Sequence, residues 1–146
     1  EKLPECVKMV RGWSGHPYMM MAELDETFDA AMMIGYHSRA GSNANPLAHT
    51  MSPSIASIKI NGSYVSEYHV NSYAAALDQV PVVFVSGDEG LCNEVSEFNP
   101  GTDTVAVMRG VGAATVSIHP KLAADRIRQG VAFTTWTLAR GPCFIR

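Results

Sequence analysis

The residues whose types and spacing could do chemistry are five histidines, His16, His37, His49, His69 and His119, and one glutamate, Glu67. His37 follows a short apolar run that ends in Gly35-Tyr36, and His49 stands twelve residues on, within Ala48-His49-Thr50. Imidazole serves as a metal ligand and as an acid or base near neutral pH, so either role fits. A lone histidine is more often a satisfied or solvated side chain, but two in one Gly- and Ser-bearing loop are a different matter. Glu67 lies three residues before Val70 and seven before Ala74, which on a helix puts it on their inward face. The dipole favours a carboxylate near a helix start, yet that does not explain why it should point inward. A buried carboxylate needs a compensating partner, and a metal ion is one. His37 and Glu67 are donors of the kind zinc accepts, but two ligands do not make a site. No HExxH string is present, and other carboxylates, Asp88 included, are conceivable additions. His69 falls on another part of the helix, as a supporting or surface residue.

The elements that must position these residues alternate between strand and helix patterns. Residues 28–35 (FDAAMMIG) have the pattern of a strand buried on both faces. Residues 37–53 carry Gly, Ser, Asn and Pro with little periodicity, a long loop of the kind that is usually functional. Asn61-Gly62, between residues 55–60 and 63–65, is the strongest two-residue hairpin signal. Ser66 is an N-cap for a helix whose stripe is Val70, Tyr73, Ala74 and Leu77. Val82 to Val85 reads as a second buried strand running into Ser86-Gly87-Asp88, with Asp88 capping a helix striped by Leu91, Val95 and Phe98. Asn99-Pro100-Gly101 stops that helix, Thr104 to Met108 is a third strand, and His119-Pro120 opens a helix with Ala124, Ile127 and Val131 inward. Met19-Met20-Met21 fits core filling.

This order predicts an α/β fold with a largely parallel sheet and flanking helices. In such sheets the site lies beyond the carboxyl ends of the strands, here at Tyr36-His37 and Gly87-Asp88.

The 146 residues suffice for one domain, residues 1–146, with 47% hydrophobic and 17% charged positions. A net charge of −3 argues against a dedicated nucleic-acid partner. Charge is uneven: residues 60–108 hold seven acids and no Lys or Arg, and residues 109–146 hold six bases and one acid, Asp125. Two solvated faces of opposite sign explain that. Apolar runs are brief, so no membrane partner is expected. Cys6, Cys92 and Cys143 are sparse and odd in number, which reads as buried reduced thiols in an intracellular protein.

Gly35-Tyr36-His37-Ser38-Arg39-Ala40, Ala48-His49-Thr50-Met51, Ile60-Asn61-Gly62, Glu67 with Asn71, and Pro81-Val82-Val83 through Gly87-Asp88 occur in one order with compatible gaps. Together they resemble the D-aminopeptidase family of zinc metallopeptidases over residues 15–130, with a poorly matched tail, residues 131–146. The resemblance implies a cytoplasmic enzyme that releases N-terminal D-amino acids from short peptides and assembles as a homo-oligomer, a decamer of stacked pentamers. It implies two zinc ions per site, with His37 and Glu67 as metal ligands, His49 as a catalytic nucleophile or proton-transfer group, and Asn71 beside the substrate pocket.

The departures are equally specific. Family members open with a strand bearing an Asp-x-Glu metal motif and carry a further histidine in an Asp-Ser-His type string, and neither string occurs here. With Glu1 in place of a methionine, the expectation is an internal fragment whose sheet is incomplete on its N-terminal side. The alternative is a non-catalytic relative that acts as a binding or assembly subunit. A phosphate-using enzyme on a similar scaffold, such as a nucleoside phosphorylase, would need a glycine-rich loop with basic support, and Gly110-Val111-Gly112 is too little.

Overall fold

The structure, a computed structural model of the chain, describes residues 3–138. Strand β1 (Ala31–Tyr36) leads through a long loop to the small hairpin β2 (Lys59–Ile60) and β3 (Ser63–Tyr64), then to helix α1 (Glu67–Leu77). Strand β4 (Val82–Asp88), helix α2 (Glu89–Phe98), strands β5 (Asp103–Val111) and β6 (Ala114–Ser117) and helix α3 (Pro120–Leu138) complete the order. The main sheet runs β1-β4-β5-β6, with β4 parallel to both β1 and β5. The α/β fold with a largely parallel sheet is therefore as the alternation of patterns requires.

Every residue of β4 is buried, as expected of an apolar strand with a parallel neighbour on each side. β1 is shorter and less buried than its sequence suggests. It begins at Ala31, and both Phe28 and Ile34 are about half exposed, because β4 is its only strand neighbour among the described residues. β6, which the strand patterns did not announce, pairs antiparallel with β5 through the two-residue turn Gly112-Ala113. Gly112 adopts a positive φ of 57°, the conformation that such a turn requires at its first central position.

At Asn61-Gly62 both φ angles are positive, 52° and 85°, as a tight hairpin needs. α1 then starts at the expected place. The Ser66 hydroxyl and the His69 ring form a reciprocal capping pair, with the Ser66 amide donating to His69 Nδ1 at 3.1 Å. His69 is thereby a buried cap, and burial first, then the Arg39 charge, hold its pKa below the ordinary value. The inward face differs from the expected stripe. Tyr68, Asn71 and Ala75 are buried, whereas Tyr73 and Leu77 are exposed. The buried face is turned away from that stripe, and the interior takes the large Tyr68 ring, whose hydroxyl meets Thr102 Oγ1 at 3.3 Å.

Asp88 caps α2 by accepting the Leu91 amide at 2.8 Å, and Leu91 and Val95 join Tyr68, Val82 and Val85 in the core. Phe98, expected inward, lies half out and packs its ring edge against His69. Cys92, on the same helix, is buried, and loss of solvent pushes its thiol pKa up to about 11. Cys6 is exposed, contrary to the expectation of a buried thiol, and Cys143 lies outside the described residues. Of the three consecutive methionines only Met21 reaches the core.

α3 begins at Pro120 and lies against β4 and β5. Ile127 and Val131 are half-buried as expected, but Ala124 is exposed, and closest approach occurs at Gly130. A Cβ there would stand 2.6 Å from the Phe84 ring, so only glycine lets the helix sit this near. Thr134 fastens the same face to the sheet by donating to Asp103 at 2.6 Å. Among the described residues no helix is long and apolar enough to cross a membrane.

Candidate metal centre

Residues 37–58 cross the carboxyl ends of β1 and β4, the place expected of a site in an open parallel sheet. Glycines let this loop approach so closely. A Cβ at Gly90 would lie 2.2 Å from the Ala44 side chain, and one at Gly110 would lie 2.4 Å from the Ala44 carbonyl oxygen. The Gly110 amide donates to that carbonyl at 2.8 Å. Thr50, fully buried, fastens the far end of the loop by accepting the Ala40 amide and donating to the Val65 carbonyl.

The loop brings His37 and His49 together over the first turn of α1. Their rings stack with centroids 4.1 Å apart and planes 25° from parallel. His37 Nε2 lies 3.9 Å, and His49 Nε2 3.6 Å, from Glu67 Oε1. The three donor atoms all fall within 4.8 Å of one another, and they form the cluster that could hold a metal ion among the described residues. Glu67 points inward as its position on α1 requires, and its Oε1 accepts the Met51 amide at 2.8 Å. Met51 has a φ of 64°, an unusual angle that aims its N–H at the carboxylate.

The ring orientations suit a cation. His37 Nδ1 donates to the Ser38 carbonyl at 3.1 Å, and His49 Nδ1 donates to the Leu47 carbonyl at 2.8 Å. A carbonyl only accepts, so each Nδ1 carries a hydrogen and each Nε2, facing Glu67, is the nitrogen whose lone pair the neutral ring would offer a cation. Around a tetrahedral zinc with bonds near 2.0 Å, neighbouring ligand atoms stand about 3.3 Å apart, so the His49–Glu67 and His37–Glu67 separations would close by about 0.3 and 0.6 Å on binding, and a pair at the 4.8 Å limit of the cluster by about 1.5 Å. Two imidazole nitrogens and a carboxylate oxygen are donors zinc accepts, and the set fits such an ion.

Asn71, one turn after Glu67, is buried and does not face the donor cluster directly. Its Nδ2 donates to the Tyr36 hydroxyl at 2.9 Å. Burial raises the Tyr36 pKa above its ordinary value; the Asn71 hydrogen bond opposes the shift, and the Glu67 charge adds to it. Tyr36, which sequence spacing did not single out, therefore stands beside the cluster as a neutral phenol.

Asp88, considered above as a conceivable ligand, is engaged elsewhere. It is fully buried and accepts from the Ser38 amide (2.7 Å), the Ser38 hydroxyl (2.5 Å), Asn45 Nδ2 (3.1 Å) and the Leu91 amide. The signal for this role was its position at a strand end before a helix, but its loop partners lie 43 and 50 residues away and carry no sequence pattern. Behind the loop, Arg39 pairs with Glu94 at 3.2 Å and covers the Tyr64 ring at 4.7 Å. His16 and His119 lie away from the cluster, exposed and bonded to their own neighbours.

Comparison with known proteins gives the same direction. The family model described as Peptidase M55, D-aminopeptidase, matches residues 1–143. A D-aminopeptidase of Bacillus subtilis (strain 168) is 33% identical over 134 residues, which are 91% of this chain and 48% of that protein. A solved structure of the Zn-dependent D-aminopeptidase DppA from Bacillus subtilis, described as a self-compartmentalizing protease, aligns with a TM-score of 0.78 at 30% identity. That alignment covers 85% of this chain and 45% of the other. The chain thus spans about half the length of the relatives it matches.

Proposed function

The chain belongs to the D-aminopeptidase family of peptidases, and from that premise we propose that the protein is a zinc aminopeptidase releasing N-terminal D-amino acids from short peptides. The observation that carries this reading is the convergence of His37 Nε2, His49 Nε2 and Glu67 Oε1 at the carboxyl end of the sheet. His37 and Glu67 are assigned as metal ligands, as half of a dinuclear site whose other carboxylates lie in the portion of the family's length that this chain does not span. Zinc held there would polarise a peptide carbonyl and activate water for attack. His49, the most exposed of the three side chains at 31%, is assigned to proton transfer. Its Nε2 lone pair takes a proton from the attacking water and returns it to the leaving amine. Tyr36 and Asn71 form the wall on the substrate side, where Asn71 keeps the phenol oriented.

The relative's description as self-compartmentalizing supports a homo-oligomer, and a cytoplasmic site of action fits the sparse cysteines. A second reading is a non-catalytic binding or assembly subunit. Hydrolysis separates the two. With zinc supplied, the full-length protein should release D-Ala from D-Ala-containing di- and tripeptides and leave the L-Ala isomers intact. Chelation should abolish release, and zinc should restore it. No release with zinc bound would refute the peptidase reading and favour the assembly one.

A further inference from the structure

Both histidines of the cluster trace back to one buried residue by separate hydrogen-bond chains. In the first, Asp88 Oδ2 and Oδ1 receive the Ser38 amide and hydroxyl, and the Ser38 carbonyl receives His37 Nδ1–H. In the second, Asp88 Oδ2 receives Asn45 Nδ2, Asn45 Oδ1 receives the Leu47 amide at 2.9 Å, and the Leu47 carbonyl receives His49 Nδ1–H. Ser38 and Asn45 are themselves buried, so water does not compete for their bonds to Asp88.

We infer that Asp88 is the positioning residue of the metal centre, and that through Ser38 and Asn45 it determines which ring nitrogen His37 presents to the ion and which His49 presents to the attacking water. The inference rests on the zinc reading above and adds to it a residue that touches neither metal nor substrate. Four donors converge on its two oxygens, and the carboxylate sits at the start of α2, where the helix dipole favours a negative charge. A carboxylate is required rather than an amide. Whichever way an amide turned, its NH2 group would oppose two donors and release either the helix cap or the loop. With its NH2 group at the Oδ2 position the loop loses the carbonyl positions that keep each hydrogen on Nδ1, and the tautomers of both rings are no longer fixed.

Three variants of the full-length protein test this: Asp88→Asn, Asn45→Ala and, as a control, Val95→Ala in the core. Long-range proton–nitrogen spectra of the imidazoles, recorded without zinc, report the tautomer of each ring. The wild type should show Nδ1–H at both His37 and His49, and Asp88→Asn should show mixed tautomers at both. Zinc affinity of Asp88→Asn should fall by about 10- to 100-fold, the usual effect of losing an outer hydrogen-bond partner. Asn45→Ala cuts only the second chain, so it should alter the His49 signals alone and lower kcat with KM near the wild-type value. Val95→Ala should weaken the fold and leave tautomers and zinc affinity unchanged. Unmixed tautomers and unchanged zinc affinity in a folded Asp88→Asn protein would overturn the inference. If that variant does not fold, unchanged His49 signals in Asn45→Ala overturn it. A wild type that binds no zinc refutes the zinc reading instead, because the tautomers are read without metal.

Discussion

Replacing Glu67 with glutamine separates a ligand from a structural carboxylate. The side chain keeps its shape, and its remaining oxygen can still accept the Met51 amide that Glu67 Oε1 receives at 2.8 Å. What disappears is a negative charge beside the Nε2 atoms of His37 and His49. Zinc sites of four ligands bind with about 10–16 kcal/mol, so one ligand is worth about 3 kcal/mol, or about 100-fold in Kd. At a zinc concentration about 100 times the wild-type Kd, the metal stabilises the wild-type fold by about 2.7 kcal/mol. The variant, with a Kd about 100-fold higher, gains only about 0.4 kcal/mol at the same concentration. For a domain of this size each kcal/mol moves Tm by about 2–4 °C, so the zinc-induced rise should be about 5–10 °C in the wild type and about 1 °C in Glu67→Gln. Thermal scans with zinc and with chelator measure both. Without zinc the two proteins should melt together, because the amide removes a buried charge and keeps a hydrogen bond. An undiminished zinc shift in the variant would refute Glu67 as a ligand. A collapse of the metal-free variant would show that the carboxylate serves the fold instead.

Other perturbations probe the surroundings of the cluster. Asn71→Ala leaves the half-buried Tyr36 hydroxyl without its donor, which should cost about 1 kcal/mol in urea unfolding and raise KM more than it lowers kcat. Gly90→Ala sets a methyl 2.2 Å from Ala44 and should displace the loop, with a loss of about 1–3 kcal/mol in stability and weaker zinc binding by calorimetry. Glu94 has a pKa held above its ordinary 4.5, chiefly by burial and against the opposing pull of Arg39, and its Oε2 lacks a hydrogen-bond partner. A raised folded pKa gives stability that is present below about pH 4.5 and lost as pH rises through the folded value. Glu94→Gln should therefore match the wild type near pH 4 and exceed it at pH 7 in denaturant midpoints.

Much of the scaffold was legible because its signals are local. Asn61-Gly62, Ser66, Asp88 and Pro120 each do their work within a few residues, and each marks a turn, a cap or a helix start where it was expected. The approach of His37 and Glu67 followed from placing one at a strand end and the other on the inward side of a helix start. The rotation of α1 was not legible. Periodicity gives Val70 and Leu77 the same weight as Tyr68, and the core contacts that Tyr68 makes, with Leu91, Val95 and Thr102, lie far away in sequence. β6 escaped although Ala114-Thr115-Val116-Ser117 alternates apolar and polar, because four residues, all exposed, are a short run that buries no face. The support beneath the site was hidden for a different reason. Asp88, Ser38 and Asn45 are ordinary polar residues in sequence, and only the folded loop joins them across 43 to 50 positions.

Anomalous diffraction at the zinc absorption edge, on crystals of the full-length protein grown with zinc, tests the central claim most directly. A peak is expected within about 2.0–2.2 Å of both His37 Nε2 and a Glu67 carboxylate oxygen. A zinc peak elsewhere, or none beside His37 and Glu67 at saturating metal, would contradict it.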